Sequence, residues 1–265
     1  MRRFFTAVVG TMFVLTAGIS MAQEEPKTVI GNFLGEKNIN VDISATTDLY
    51  SKYIWRGMKL DNDFVIQPGF TIGAYGFELG VWSNFDIDAA DGRASSEMDT
   101  SLTYTYDFEN LNLFDKDLET FSVTVGHVYY DFPDAGTFSK EAVLGFSYDT
   151  FLAPSLTWYH DYSRESQGGG KGDYLVLDLS HSLDLVPSYG ITLDLGGHVG
   201  YNRKLFIKGE GGDVALSGGV TIPLTKFLSM APSINYSMPF GDVKDEGDGA
   251  HENEFFWGVG FSAEF

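Results

Sequence analysis

The 265-residue chain contains no cysteine, only 8 prolines, and 17 Lys and Arg residues against 37 Asp and Glu. Without cysteine there are no disulfides, so hydrogen bonds and packing must hold the fold. A formal charge of −20 leaves no basic surface able to offset its own field, which excludes nucleic acid as a partner. Long apolar runs are also missing. Beyond the amino terminus no stretch reaches the roughly 18 residues that a membrane-spanning helix requires. Nor does the sequence carry a motif that calls for a cofactor or a metal, and none is expected.

Short apolar stretches and aromatics are abundant instead. Phe, Tyr and Trp make up 15% of the chain and glycine numbers 31, while the mean hydropathy is −0.07. Many aromatics and glycines with few prolines indicate a large antiparallel all-β structure. Arg2 and Arg3 precede an apolar run from Phe4 to about Ala17, and Ser20-Met21-Ala22 forms a small-x-small cleavage site. Residues 1–22 therefore read as a secretory signal peptide, too short for an anchor helix. Residues 23–39 show no period, and either a periplasmic extension or a segment folded into a barrel fits them.

From Asn40 onward the sequence breaks into twelve alternating segments: 40–55, 64–75, 76–87, 97–108, 120–130, 140–149, 154–162, 173–183, 189–201, 213–223, 227–238 and 254–265. Each has about the length of a tilted strand crossing a bilayer, and an even count suits a single-chain barrel. The connections alternate too. Ala74–Gly76, Thr150–Ala153, Val186–Ser188 and Leu224–Lys226 are short, with Glu109–Glu119 the exception among them. Gly57–Asp63, Ala89–Ser96, Phe132–Ser139, Ser163–Gly172, Asn202–Gly212 and Pro239–Asn253 are longer and rich in Gly, Asp, Lys and Ser. Short turns at one rim and long loops at the other distinguish an outer-membrane barrel from a soluble sandwich. The expected fold is a transmembrane antiparallel up-and-down β-barrel of about twelve strands over residues 40–265.

A period of two sorts the side chains into faces. In the final segment Phe255, Trp257, Val259, Phe261, Ala263 and Phe265 share one face, while Gly258, Gly260, Ser262 and Glu264 share the other. In the first, Ile43, Leu49 and Tyr53 are expected against lipid and Asp42, Asp48, Lys52 and Arg56 inside. Continued along the chain, the alternation places Glu78, Trp82, Asn84, Asp86, Asp99, Asp107, Asp161, Asp178 and Asp194 inside as well. These thirteen are the expected pore-lining residues. Carboxylates dominate them, which predicts a pore favouring cations. Lys52 and Arg56 either set a transverse field or form ion pairs that block the lumen; for Arg56 the nearest partners by this reading are Asp86 and Glu254. Aromatics near segment ends, among them Tyr75, Phe151, Trp55 and Tyr162, are placed to form two interfacial girdles.

The stretch from Asp48 to Phe70, "DLYSKYIWRGMKLDNDFVIQPGF", with the run Gly76–Asp88, "GFELGVWSNFDID", resembles the TorF family of porins. The matching positions are Tyr53, Trp55, Arg56 and Gly57, then Gly80, Trp82, Ser83, Asn84 and Asp86; Val81 between Gly80 and Trp82 departs from the family spacing. The resemblance covers about the first third of the chain after residue 22, and it implies an outer-membrane barrel acting as a pore, with no catalytic residues.

Together these readings lead to the expectation of a passive channel for small solutes in a bacterial outer membrane. Its partners would be lipid and lipopolysaccharide, the diffusing solutes or ions, and the barrel-assembly machinery acting on the strand that ends in Phe265. A blocked, surface-binding barrel is the alternative, and Tyr50, Trp82, Tyr159 and Tyr174 are bulky enough for it. An embedded hydrolase is disfavoured. His181 lies between Ser180 and Ser182, but neighbours in a strand point to opposite faces. "QGGGKGD" at Gln167–Asp173 lacks the Ser or Thr of a phosphate loop, and the acidic stretch Gly241–Glu254 has Lys244 where a calcium loop needs a ligand.

Overall fold

The computed structural model describes residues 41–87, 97–109, 120–245 and 251–265. The signal peptide, the segment 23–39 and the connections 89–96 and 110–119 lie outside the described residues. Among the described residues fourteen strands run in chain order: β1 (Asp42–Tyr50), β2 (Tyr53–Trp55), β3 (Met58–Asp61), β4 (Val65–Ala74), β5 (Phe77–Asp86), β6 (Glu97–Glu109), β7 (Thr120–Phe132), β8 (Thr137–Tyr148), β9 (Ser155–Asp161), β10 (Asp173–Val186), β11 (Ile191–Arg203), β12 (Glu210–Pro223), β13 (Leu228–Gly241) and β14 (Glu254–Glu264). A single helical turn, α1 (Asp242–Asp245), follows β13.

Twelve of the strands close a barrel in which β1 pairs with both β14 and β4, and every pair is antiparallel. The seam is completed where the Phe265 amide donates to the Ile43 carbonyl at 2.9 Å. No sheet edge is left among these strands, so the row of backbone donors and acceptors that an open sheet exposes is satisfied all round.

The barrel is inside-out relative to a soluble protein. Leu102, Leu216 and Ile234 are 52%, 54% and 57% exposed, whereas their strand neighbours Thr103, Ser217 and Asn235 are 5%, 8% and 4% exposed. Apolar side chains form the outer surface and polar ones fill the interior, the arrangement a bilayer demands of a strand. Aromatics mark both ends: Tyr75, Phe77, Phe151 and Tyr189 at the turn rim, Phe64, Phe85, Tyr162 and Phe255 at the loop rim.

Two elements depart from the sequence pattern. The segment read as 40–55 is broken by a bend at Ser51–Lys52, and β2 and β3 form a separate two-stranded sheet. The bend resets the alternation, so Tyr53, expected against lipid, is 3% exposed inside the protein. The expected external loop Gly57–Asp63 is correspondingly the returning arm of an internal hairpin. The connection expected over Phe132–Ser139 is a tight turn of residues 133–136, because β7 and β8 continue pairing to Phe132 and Thr137.

Candidate functional site

The β2–β3 hairpin folds into the loop-side mouth of the barrel. Its turn is Arg56-Gly57, with φ of +49° and +78°, between Trp55 and Met58, which pair. Two successive left-handed residues are the requirement of a tight hairpin turn. Glycine accepts that conformation freely, while arginine in it is strained. Gly57 is fixed by space as well: a Cβ there would stand 2.7 Å from Asp213 Cβ.

What holds Arg56 is an enclosed polar and aromatic socket. Its Nη1 and Nη2 each donate at 2.7 Å to the two carboxylate oxygens of Glu141 on β8, and both side chains are fully buried. The Tyr130 hydroxyl donates to the same carboxylate at 2.8 Å. The guanidinium carbon lies 4.3 Å from the ring centre of Trp55 and 4.6 Å from those of Tyr159 and Tyr174. Burial acts against the charge on Arg56, but Glu141 more than restores it, and the net shift is upward. A bidentate pair with rings over the guanidinium is the geometry arginine supplies and lysine does not.

Three further contacts pin the hairpin. Tyr53 donates its hydroxyl to Glu97 at 3.0 Å. Lys52, just before β2, and Lys59, on β3 next to the turn, both pair with Glu254, the first residue of β14. Met58 packs with Ile207 and Val243, from the β11–β12 connection and from α1. Beyond the tip, Asp213 accepts from Tyr174 at 2.8 Å and pairs with His198 at 2.6 Å. The cavity left there, lined by Gly57, His198, Asn235 and Ser237 among others, measures about 30 Å³. That is room for about one water molecule.

Toward the turn rim the inward side chains are smaller and mostly hydroxylic. Ser44 and Thr71 are hydrogen-bonded at 2.8 Å, and Thr105 and Thr124 at 2.9 Å. Asp194 accepts from Thr192 and Thr221. The interior thus has two halves, a packed one beneath the loops and a hydroxyl-lined one above the turns.

The expected pore-lining residues divide between these halves. Asp42 and Asp107 are exposed at the turn rim, with Glu78 partly buried two strands from Asp42, across Gly73 of β4. Asp48 is 5% exposed. Trp82 tilts onto Tyr53 at 5.8 Å, and Asn84 accepts from Gln67 at 2.8 Å. Asp86 pairs in register with the buried Val65, and Asp99 lies on the inward face of β6, two residues from Glu97. Asp178 lies 3.8 Å from His198. Asp161 holds a loop, accepting from Ser139 Oγ and from the Ser163 and Gly170 amides. Lys52 and Arg56 are anchors of the hairpin, and Arg56 pairs with Glu141 rather than Asp86 or Glu254. Sequence reasoning missed Glu141, Glu97 and Asp213. The signal for the hairpin was present in Arg56-Gly57 flanked by Tyr53, Trp55 and Met58, but nothing local names a partner some 85 residues away.

A closed, even-stranded antiparallel barrel with an apolar outside and a polar inside is the porin-like outer-membrane fold. The NanC porin aligns with a TM-score of 0.52 at 11% identity, over 84% of this chain and 99% of that one. The COG4313 outer membrane channel from Pseudomonas putida F1 aligns equally well, at 12% identity over 86% of this chain and 97% of the other. No curated protein matches the sequence. The chain belongs to the Gcw_chp family, described as a bacterial protein of unknown function, which it matches over residues 36–220.

Proposed function

We propose that this protein is a passive channel for small solutes in a bacterial outer membrane, narrowed at its external mouth by the β2–β3 hairpin. One observation carries the reading: a hairpin folded into a barrel whose other half is lined by Ser, Thr and carboxylates. Side chains of that kind suit water and small polar solutes rather than a packed core. The loop rim then faces outward from the cell and the turn rim faces the periplasm. The chain would be exported by the signal peptide of residues 1–22, and its first third supports kinship with the TorF porins. Carboxylates on the inner face, among them Asp48, Glu78, Asp99 and Asp194, outnumber the cations there and favour positive ions.

The socket around Arg56 and the small cavity beyond it favour a second reading, a barrel that stays shut. Single-channel recording of refolded protein across a salt gradient separates the two. Discrete steps with a cation-selective reversal potential are expected, with larger steps once residues 53–61 are replaced by a short Gly-Ser linker. Silence from both folded proteins would establish the closed barrel, and an anion-selective reversal potential would remove the cation preference.

A further inference from the structure

Basic residues are scarce in this chain, yet they are unevenly placed. Arg164, Lys171, Arg203, Lys204 and Lys208, five of its 17 Lys and Arg residues, fall in or beside two neighbouring connections at the loop rim. Those connections, residues 162–172 between β9 and β10 and residues 204–209 between β11 and β12, border a shallow, open cleft of about 450 Å³. Lys171, Lys204 and Lys208 line it, with Phe206 as an apolar wall and Glu165 as one carboxylate among them.

The cleft is built rather than incidental. Lys171, Lys204 and Phe206 all adopt left-handed φ, at +49°, +59° and +60°. Strain of that kind persists only where the surroundings impose it. Here they do. Asn202 holds Leu205 at both ends, accepting from its amide at 2.9 Å and donating to its carbonyl at 3.0 Å, and Leu205 is fully buried. Asp161 accepts from the Gly170 amide on the opposite wall. The Lys171 ammonium is 3.6 Å from Glu165 and exposed, which leaves donors over, since each ammonium has three.

We infer that this cleft is a binding site for a small soluble anion, one presenting carboxylate or phosphate oxygens to the three lysines and an apolar part to Phe206. The site lies outside the narrowed mouth, and its occupancy does not depend on conduction. It does touch the hairpin, because the Phe206 ring leans on Trp55 with centroids 5.7 Å apart. An anion held against Phe206 therefore changes the environment of Trp55, one of only 4 tryptophans in the chain.

The test is a titration of full-length, detergent-solubilised protein with succinate and with inorganic phosphate at low ionic strength, read by calorimetry and tryptophan fluorescence. Saturable binding of either is expected, weakened about tenfold or more when Lys171, Lys204 and Lys208 are all changed to Gln, since charge-assisted hydrogen bonds are lost. Lys226→Gln, which removes a charge at the opposite rim, should leave affinity unchanged. Should the triple variant fail to fold, the single exposed change Lys208→Gln carries the comparison, with a smaller loss expected. No saturable binding by either anion, or an equal loss in the Lys226 control, overturns the site. Saturable binding of lipopolysaccharide with none of either soluble anion also overturns it, by assigning the lysines to lipid phosphate.

Discussion

Arg56 combines a strained backbone, a fully buried charge and a bidentate carboxylate partner, Glu141. Removing one member of such a pair leaves the other charged and buried, at a cost of about 3–5 kcal/mol, whereas removing both is far milder. Arg56→Ala is therefore expected to lower the midpoint of urea unfolding in lipid vesicles strongly, and Arg56→Met combined with Glu141→Leu to recover most of the loss. Equal destabilisation by the single and double variants would show that the socket rather than the pair holds the residue. Arg56→Lys should behave more like the alanine variant, because one ammonium cannot reproduce two parallel hydrogen bonds.

At the scale of the element, the hairpin is fastened on one side through a titratable contact. His251 Nδ1 accepts from the Lys59 amide at 3.1 Å, and only a neutral imidazole can do so. Burial, then the charge of Lys59, holds the His251 pKa below its ordinary value, with Glu254 opposing. The unfolded or detached segment thus takes up a proton first as pH falls. The fastening is complete above the ordinary histidine value of about 6.5 and weakens below it. Among the described residues, Lys52 and Lys59, both on Glu254, also carry charge close to this point. Hydrogen-exchange protection of the Lys59 amide should be level near neutrality and fall in mild acid, and His251→Ala should abolish the pH dependence. A profile unaffected by that substitution would exclude the histidine. The element also shows where sequence stops being informative. Alternation runs through the barrel strands, save for a register shift between Asp184 and Val186 at the end of β10, because each has one lipid face and one inner face, so parity alone placed Gln67, Thr103 and Asp194. In β2 and at the turn into β3 both faces meet protein, and Tyr53, Ile54 and Met58 are all buried. Parity has nothing to report there, and the partners Glu97 and Glu141 stand on strands far along the chain that no local pattern names.

For the whole molecule, the outer surface is the part that composition and period determine most completely, since a single solvent, lipid, acts on every strand alike. Leu179, 40% exposed near the middle of β10, belongs to that surface. Leu179→Arg should cost about 2–4 kcal/mol when unfolding is measured in vesicles. The same change at the inward neighbour Ser180 should cost much less; comparable costs would mean the two faces are not distinguished by lipid. The lumen was less legible than the outside. Its residue types could be enumerated from the pattern, but which acids stand together depends on register across twelve strands and on a hairpin that enters from above.

Glu254 receives both lysines of that hairpin, and it is the residue on which β14 begins. Lys52 and Lys59 precede it by some 200 positions, so this fastening joins the two ends of the chain beside the seam where β14 meets β1. Arg56 has its own anchor, Glu141 on β8, away from that seam. The wall alone holds the tip, but Lys52 and Lys59 are tied only when β14 lies beside β1, so sealing the ring and completing the hairpin's fastening are one event.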